Sequence, residues 1–146
     1  MSSLYSKAKD RIARGEIAWK EGMDSFGVFL IDSLFYIPDI LKDEYLSDIP
    51  NEARAGNYGR PGIEGAGMLN IISARTGGIC DAENLLFNGM EINKVYEAIV
   101  IFKMGVDESQ SPLLAYIDRG INLPIKVTSP QILIEWDEGP NKIFRL

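Results

Sequence analysis

Apolar residues in the last third of the chain fall into short runs that are separated by turn residues. Residues 95–103 and 113–118 are almost continuously apolar, a pattern typical of strands that are covered on both faces. Residues 142–146 form a further short run. In residues 131–136 the positions alternate, so that one face of the predicted strand carries Ile132, Ile134 and Trp136. The pattern therefore predicts four successive β-strands, one of which has a buried face and a partly exposed face.

The N-terminal residues predict a short helix. Ser2 or Ser3 can cap its start, and Gly15 lies where glycine commonly ends a helix. A narrow apolar stripe along it consists of Leu4, Ala8 and Ile12. Because a helix of this length is only marginally stable alone, we expect it either to pack on its own domain or to reach a neighbouring subunit as an arm. Packing is the more common outcome for an amphipathic helix.

Short strands and frequent turns predict the fold class. Residues 16–19 and 26–31 are two further predicted strands, and no helices are present for parallel winding. We predict a mainly β fold, either a single antiparallel β-sandwich or an open barrel of seven or eight strands, with a short N-terminal helix. The length fits one domain, residues 1–146. Within it, residues 1–15 form the helix or arm and residues 16–146 form the β-rich body.

Two segments between the predicted strands are less regular. Pro38 and Pro50 bracket a segment in which Leu41 and Tyr45 share a helical face, which predicts a helix of one or two turns. Residues 56–67 are rich in glycine and proline and have no apolar period, so a long surface loop is predicted there. Long loops of this kind are often functional, and we expect this one to become ordered on binding a partner.

Several segments resemble a family of small virion structural proteins of tailed bacteriophages. In the second half of the chain these segments are DAENLLF (81–87), EAIVIFK (97–103), SPLLAYID (111–118), LP (123–124) and WDEGPNKIFRL (136–146). In the first half they are FLID (29–32) and DEYLSDIP (43–50), the latter followed by Ala53 and Arg54. The resemblance covers most of the chain from about Leu4, and the sequence departs from the pattern between Gly56 and Gly78. Strings of this kind are packing and turn signatures, so they indicate a shared fold more directly than a shared task.

The resemblance implies a non-enzymatic virion protein that is made in the host cytoplasm. A capsid decoration (cement) protein that stabilises the head by binding major capsid subunits is the leading interpretation, and a neck or tail component is the alternative. We expect the partner to be the major capsid protein or another virion protein. A homo-oligomer is also expected, and threefold positions on a head would favour a trimer.

Aromatic residues near the predicted loops and helix are candidate partner contacts, because tyrosine, tryptophan and arginine are enriched at interface hot spots. The candidates are Tyr5, Tyr36, Tyr58 and Arg60. Trp19 is a weaker candidate, because its position in an alternating pattern favours a buried core residue.

Composition argues against several other classes of protein. A net charge of −6 and a pI of about 4.7 argue against nucleic acid as a partner, because phosphate binding needs clustered lysine and arginine. The start has no apolar core of a signal peptide, and no apolar run approaches the ~20 residues needed to span a bilayer, so no membrane partner is expected. The single cysteine, Cys80, excludes an intrachain disulfide and reads as a buried apolar residue.

Candidate chemistry is weak. The chain has no histidine, which excludes Ser-His-Asp and Cys-His catalytic arrangements and the usual zinc ligand sets. Residues 65–70 come closest to a dinucleotide fingerprint but lack its third glycine. The acidic pairs Asp43/Glu44 and Asp137/Glu138 could serve a glycosidase, which needs two carboxyl groups across a sugar, but solvated turn residues are the commoner interpretation. We expect no enzyme activity, no cofactor and no bound metal ion.

A carbohydrate-binding β-module of a phage fibre is the remaining alternative from a different class. It would need an exposed tryptophan or tyrosine platform on a sheet face. The pattern places Trp19 and Trp136 on apolar faces, so this alternative ranks below the virion interpretation.

Overall fold

The computed structural model describes residues 3–20, 22–56, 67–75, 79–120, 123–136 and 143–145. These residues contain one α-helix, α1 (Ser6–Ala13), and short 3-10 helices at Leu46–Asp48, Asn51–Ala53 and Glu108–Gln110. Their strands are β1 (Ser3–Leu4), β2 (Phe26–Ile31), β3 (Arg54–Ala55), β4 (Gly67–Met68), β5 (Ile71–Arg75), β6 (Ile79–Ala82), β7 (Leu85–Phe87), β8 (Val95–Tyr96), β9 (Ala98–Lys103), β10 (Leu113–Ile117), β11 (Ile125–Lys126), β12 (Ile132–Ile134) and β13 (Phe144–Arg145). The predicted mainly β fold with a short N-terminal helix is confirmed. In the part of the chain described here, no helix is long and apolar enough to cross a membrane.

The largest sheet is antiparallel and runs in the order β1-β10-β9-β2, with both β3 and β4 pairing with β2. Strands β2 and β10 are buried at every position, and β9 is buried at all but its last residue. This burial explains why their sequences are continuously apolar, since both faces of these strands are covered. The predicted strands at 26–31 and 113–118 are therefore confirmed, and the predicted strand at 95–103 is divided between β8 and β9.

One glycine is required at the centre of this sheet. Gly27 lies opposite Phe102 in the β2–β9 pair. A Cβ atom at Gly27 would lie 2.5 Å from the tip of the Phe102 ring and 2.6 Å from the Met104 methyl group. The missing side chain leaves room for the Phe102 ring, which stacks on Phe29 with 5.6 Å between ring centroids. Glycine inside a strand commonly marks such a close approach.

A second antiparallel ribbon joins the chain segments 79–96 and 125–145. Strand β13 pairs with β6, β12 pairs with β7, and β11 pairs with β8, all in the same antiparallel direction. In β12 the predicted alternation is confirmed, because Ile132 and Ile134 are buried and Leu133 is exposed. Trp136 is also buried, and its indole Nε1 donates to the Glu83 carbonyl oxygen at 3.0 Å.

Strands β12 and β13 pair with successive strands of the same opposing segment, which are β7 and β6. Residues 137–142 lie outside the described residues. The C-terminus returns next to β6, where the Ile143 backbone N–H donates to the Cys80 carbonyl oxygen at 3.0 Å.

One local prediction is wrong and another is only partly correct. Residues 16–19 form no strand, because the Ala18 N–H donates to the Asp24 carboxylate at 2.7 Å and the backbone turns, although Ile17 and Trp19 are buried as the alternation suggested. The short helix predicted between Pro38 and Pro50 is present as the one-turn 3-10 helix Leu46–Asp48, but Leu41 and Tyr45 are not part of it, and Leu41 lies in a turn at Asp39. Most of the predicted loop at 56–67 lies outside the described residues, and Gly67 begins β4.

Candidate docking surface

Four large apolar side chains are exposed within eight consecutive residues, 34–41, which follow β2. Their exposed fractions are 85% for Leu34, 53% for Phe35, 84% for Ile37 and 74% for Leu41. We call residues 34–41 the apolar loop. Single exposed apolar residues are ordinary, whereas a concentration of them on a folded domain is typical of an interaction surface.

Tyr36 is the residue of the apolar loop that points inward and anchors it. Its side chain is buried, and its ring packs edge-on against Tyr116 with 6.3 Å between centroids. The Tyr5 hydroxyl lies 2.8 Å from the Tyr36 hydroxyl, which in turn donates to a carboxylate oxygen of Asp43 at 2.8 Å. A chain of three hydrogen-bonded side chains therefore joins the core to the middle of the loop and, through Asp43, to the residues just after its far end.

Backbone hydrogen bonds fix the two ends of the apolar loop. At the start, the Leu34 N–H donates to the Asp32 carboxylate at 3.0 Å. At the far end, Asp39 and Asp43 bond each other reciprocally: the Asp39 N–H donates to the Asp43 carboxylate, and the Asp43 N–H donates to the Asp39 carbonyl oxygen, both at 2.8 Å. A surface held in one conformation before binding loses less entropy when it binds.

Helix α1 braces the loop from its other side. The Ser6 N–H donates to the Ile40 carbonyl oxygen at 2.9 Å. The Arg11 guanidinium donates to Glu44 at 2.9 Å and to the Tyr45 hydroxyl at 2.7 Å, and it lies 5.3 Å from the centroid of the Tyr45 ring. The N-terminal segment thus supports the loop within the same chain.

The chain segment that contains the apolar loop is acidic. Residues 32–48 contain one lysine, Lys42, and five carboxylates, which are Asp32, Asp39, Asp43, Glu44 and Asp48. Asp32 is buried, so the other four form what we call the acidic rim. Arg11 pairs with one member of the rim, Glu44. An apolar surface with negative surroundings is matched by a partner that carries positive charge around an apolar site.

Burial raises the pKa of three groups in the core. It raises the pKa of the Tyr5 and Tyr36 hydroxyls well above their ordinary value, so both stay protonated and available as hydrogen-bond donors. It raises the pKa of the Cys80 thiol to about 12. Because the thiolate is the nucleophile, Cys80 is unreactive in the folded protein, and it is a buried apolar residue as predicted.

A cavity of about 650 Å³ lies beside β3, and Arg54 is its best-defined charged group. The Arg54 guanidinium bonds Glu108 at 2.9 Å, also bonds the Asn51 side chain, and lies 5.4 Å from the centroid of the Phe29 ring. Serine, threonine and cysteine do not occur among the described residues that line the cavity. The best-defined interaction in the cavity is therefore a structural ion pair between Arg54 and Glu108.

The predicted contact residues have different positions from those expected. Tyr5 and Tyr36 come together in the core, so neither side chain is exposed in the folded chain, and a partner contact at either stays a prediction. Tyr58 and Arg60 lie outside the described residues. Trp19 is buried, with its indole N–H bonded to the Asp81 carbonyl oxygen at 3.0 Å.

The exposed residues of the apolar loop were not predicted from the sequence. The only sequence signal for this surface is that residues 34–37 are four consecutive apolar residues directly before Pro38, outside any predicted strand. A run of this kind is usually assigned to the core, because sequence alone does not tell which apolar residues remain exposed.

Catalytic and metal chemistry finds no support in the described residues. They contain no group of three or more acidic or cysteine side chains that could hold a metal ion. The acidic pair Asp43/Glu44 is divided between two partners, since Asp43 accepts from Tyr36 and Glu44 from Arg11. The pair Asp137/Glu138 lies outside the described residues. Comparison with protein-family models, with curated proteins and with solved structures gives no match.

Proposed function

We propose that this protein is a non-enzymatic bacteriophage virion structural protein, and specifically a capsid decoration protein that stabilises the head by binding major capsid subunits. The observation that carries the proposal is the apolar loop, which presents four large apolar side chains on a hydrogen-bonded backbone. The choice of a capsid protein as the partner rests on the resemblance of the sequence to small virion proteins of tailed phages.

The physical argument concerns what a decoration protein needs. It must bind a preformed shell without refolding, so its contact surface should be rigid and already exposed. Leaving apolar side chains in water costs free energy that burial against a partner regains, at about 25 cal/mol per Å². The apolar loop meets both requirements, because Tyr36 and the Asp39–Asp43 bonds hold it while Leu34 and Ile37 face solvent.

The proposal also includes location and assembly state. The chain would be made in the host cytoplasm and reside in the virion, with the major capsid protein or another virion protein as its partner. Self-association into a homo-oligomer, such as a trimer at a threefold position, is part of the proposal. In the part of the chain that the structure describes, the carbohydrate alternative has no exposed tryptophan platform, since Trp19 and Trp136 are buried.

Copy number in purified particles tests the proposal. Quantitative mass spectrometry would measure this chain against the major capsid protein. We expect a near-stoichiometric ratio. A ratio of a few copies per particle would replace the decoration role with a neck or tail role, and absence of the chain from particles would overturn the structural proposal altogether.

A further inference from the structure

We infer that the apolar loop docks into an apolar cleft with a basic rim on another virion protein, and not onto the same loop of a second copy of this chain. The inference rests on the proposed function and adds the chemistry of the partner to it. Its two premises are the exposed apolar side chains of the loop and the acidic rim around them.

The first premise sets the apolar part of the partner site. The four exposed side chains together present on the order of 400–500 Å² of apolar surface, which is comparable to the largest apolar patch of an ordinary monomer, and such patches are often functional. Leu34 and Ile37 are almost fully exposed. Branched aliphatic side chains held on a fixed backbone are complementary to a preformed apolar cleft, where they would act as anchors.

The second premise argues against a symmetric self-contact. In a twofold dimer the same patch lies on both sides of the interface. Pairing two apolar loops would therefore bring two acidic rims together, and each rim has four carboxylates against Lys42 and the Arg11 that pairs with Glu44. Like charges brought together at an interface cost several kcal/mol. A partner with lysine or arginine around its cleft turns this repulsion into attraction.

Three variants separate the apolar contribution from the charge contribution. The double variant Leu34→Ser/Ile37→Ser removes the two most exposed apolar side chains of the loop. Val106→Ser is the matched control, because Val106 is also exposed, at 73%. It follows the end of β9, whereas the loop follows the end of β2, and these two ends lie at opposite ends of the antiparallel pair. Lys42→Glu makes the loop surroundings more acidic without removing an apolar group.

The assay is co-sedimentation of purified protein with phage particles that were assembled without this chain. We expect the wild type and Val106→Ser to bind equally, and Leu34→Ser/Ile37→Ser to bind at least about ten-fold more weakly, a loss of about 1.4 kcal/mol. Lys42→Glu should bind several-fold more tightly at about 0.15 M salt, and this gain should disappear near 1 M salt because the charges are then screened. Thermal melting of each variant establishes that it is folded.

The outcomes separate the inference from the proposed function. If the wild type binds and the double variant binds equally well, the docking inference fails while the decoration role stands. Weaker binding of Lys42→Glu would overturn the basic rim. A dimer of the wild type in sedimentation equilibrium that Ile37→Ser dissociates would replace the partner with a second copy. If the wild type itself does not bind, both the proposed function and the inference that rests on it are overturned.

Discussion

The hydroxyl oxygens of Tyr5 and Tyr36 lie 2.8 Å apart in the core and join the residue before helix α1 to the middle of the apolar loop. The two residues are 31 positions apart in the sequence. Because the Tyr36 hydroxyl donates its hydrogen bond to Asp43 and Asp43 also accepts from the Asp39 N–H, the same network fixes the far end of the loop. The N-terminal segment and the candidate docking surface are thus joined by one hydrogen-bond network.

A double-mutant cycle at these tyrosines measures that connection. Tyr5→Phe should lower the free energy of unfolding by about 1 kcal/mol, the usual contribution of one hydrogen bond. Tyr36→Phe should lower the free energy of unfolding by more, roughly 1–3 kcal/mol, because it removes the hydrogen bonds to both Tyr5 and Asp43. Urea unfolding of the single and double variants gives the coupling energy. Strictly additive effects would show that the bond contributes no stability.

The protein should lose stability at alkaline pH because three buried groups have raised pKa values in the folded state. The pKa of Cys80 is raised from 9.0 to about 12 by burial, and the pKa of Tyr5 and of Tyr36 is raised from 10.0. Between these ordinary values and the raised ones the unfolded chain binds fewer protons than the folded chain. The free energy of unfolding therefore falls as pH rises from about 9 toward 12. Urea unfolding at several pH values should show this decline.

Cys80→Ala provides the control for the alkaline decline. The variant should flatten the part of the profile that begins near pH 9 and leave the tyrosine part, which begins near pH 10. A stability profile that is flat across this range in the wild type would contradict the burial of these groups.

Truncation after Lys142 should destabilise the domain. It removes β13 and the hydrogen bond from Ile143 to Cys80. The expected loss is about 2 kcal/mol, which corresponds to a decrease in Tm of roughly 4–8 °C for a chain of this size. Deletion of Leu146 alone keeps β13 and serves as the control. An unchanged Tm for the longer truncation would mean that β13 contributes nothing to stability.

Gly27→Ala should cost about 1–3 kcal/mol because it overpacks the β2–β9 pair. The added methyl group meets the Phe102 ring and the Met104 methyl group. Phe102→Leu alone should also destabilise, since it removes buried surface. Combined with Gly27→Ala, however, it should cost less than the sum of the two single effects. Chemical denaturation of the three variants tests this. If the two single effects simply add up in the double variant, the methyl group added at Gly27 does not clash with Phe102.

The central strands of the fold were predictable from the sequence, and the reason is burial. In β2, β9 and β10 every interior position is apolar because both faces are covered, so even a single sequence carries the signal. In β12 the flanking polar residues Gln131 and Glu135 revealed the exposed face, which they share with Leu133.

The failures came from side-chain interactions that compete with the backbone pattern. Residues 16–19 alternate like a strand, but the Asp24 carboxylate accepts the Ala18 N–H and the segment turns. Leu41 seemed to share a helical face with Tyr45, but Asp39 caps the local turn and leaves Leu41 exposed. The docking surface escaped prediction for a related reason. Tyr36 faces inward only because Tyr5 is beside it, and that contact between distant residues has no local signature.

The separate pairing of β12 and β13 has a practical consequence. Because β12 is held by β7 and β13 by β6, the register of each strand is fixed by its own partner. Lengthening the chain between two fixed points costs only about 0.6 kcal/mol for each doubling of its length. A foreign peptide, such as an epitope tag, that is inserted between Trp136 and Ile143 should therefore leave the register of both strands unchanged.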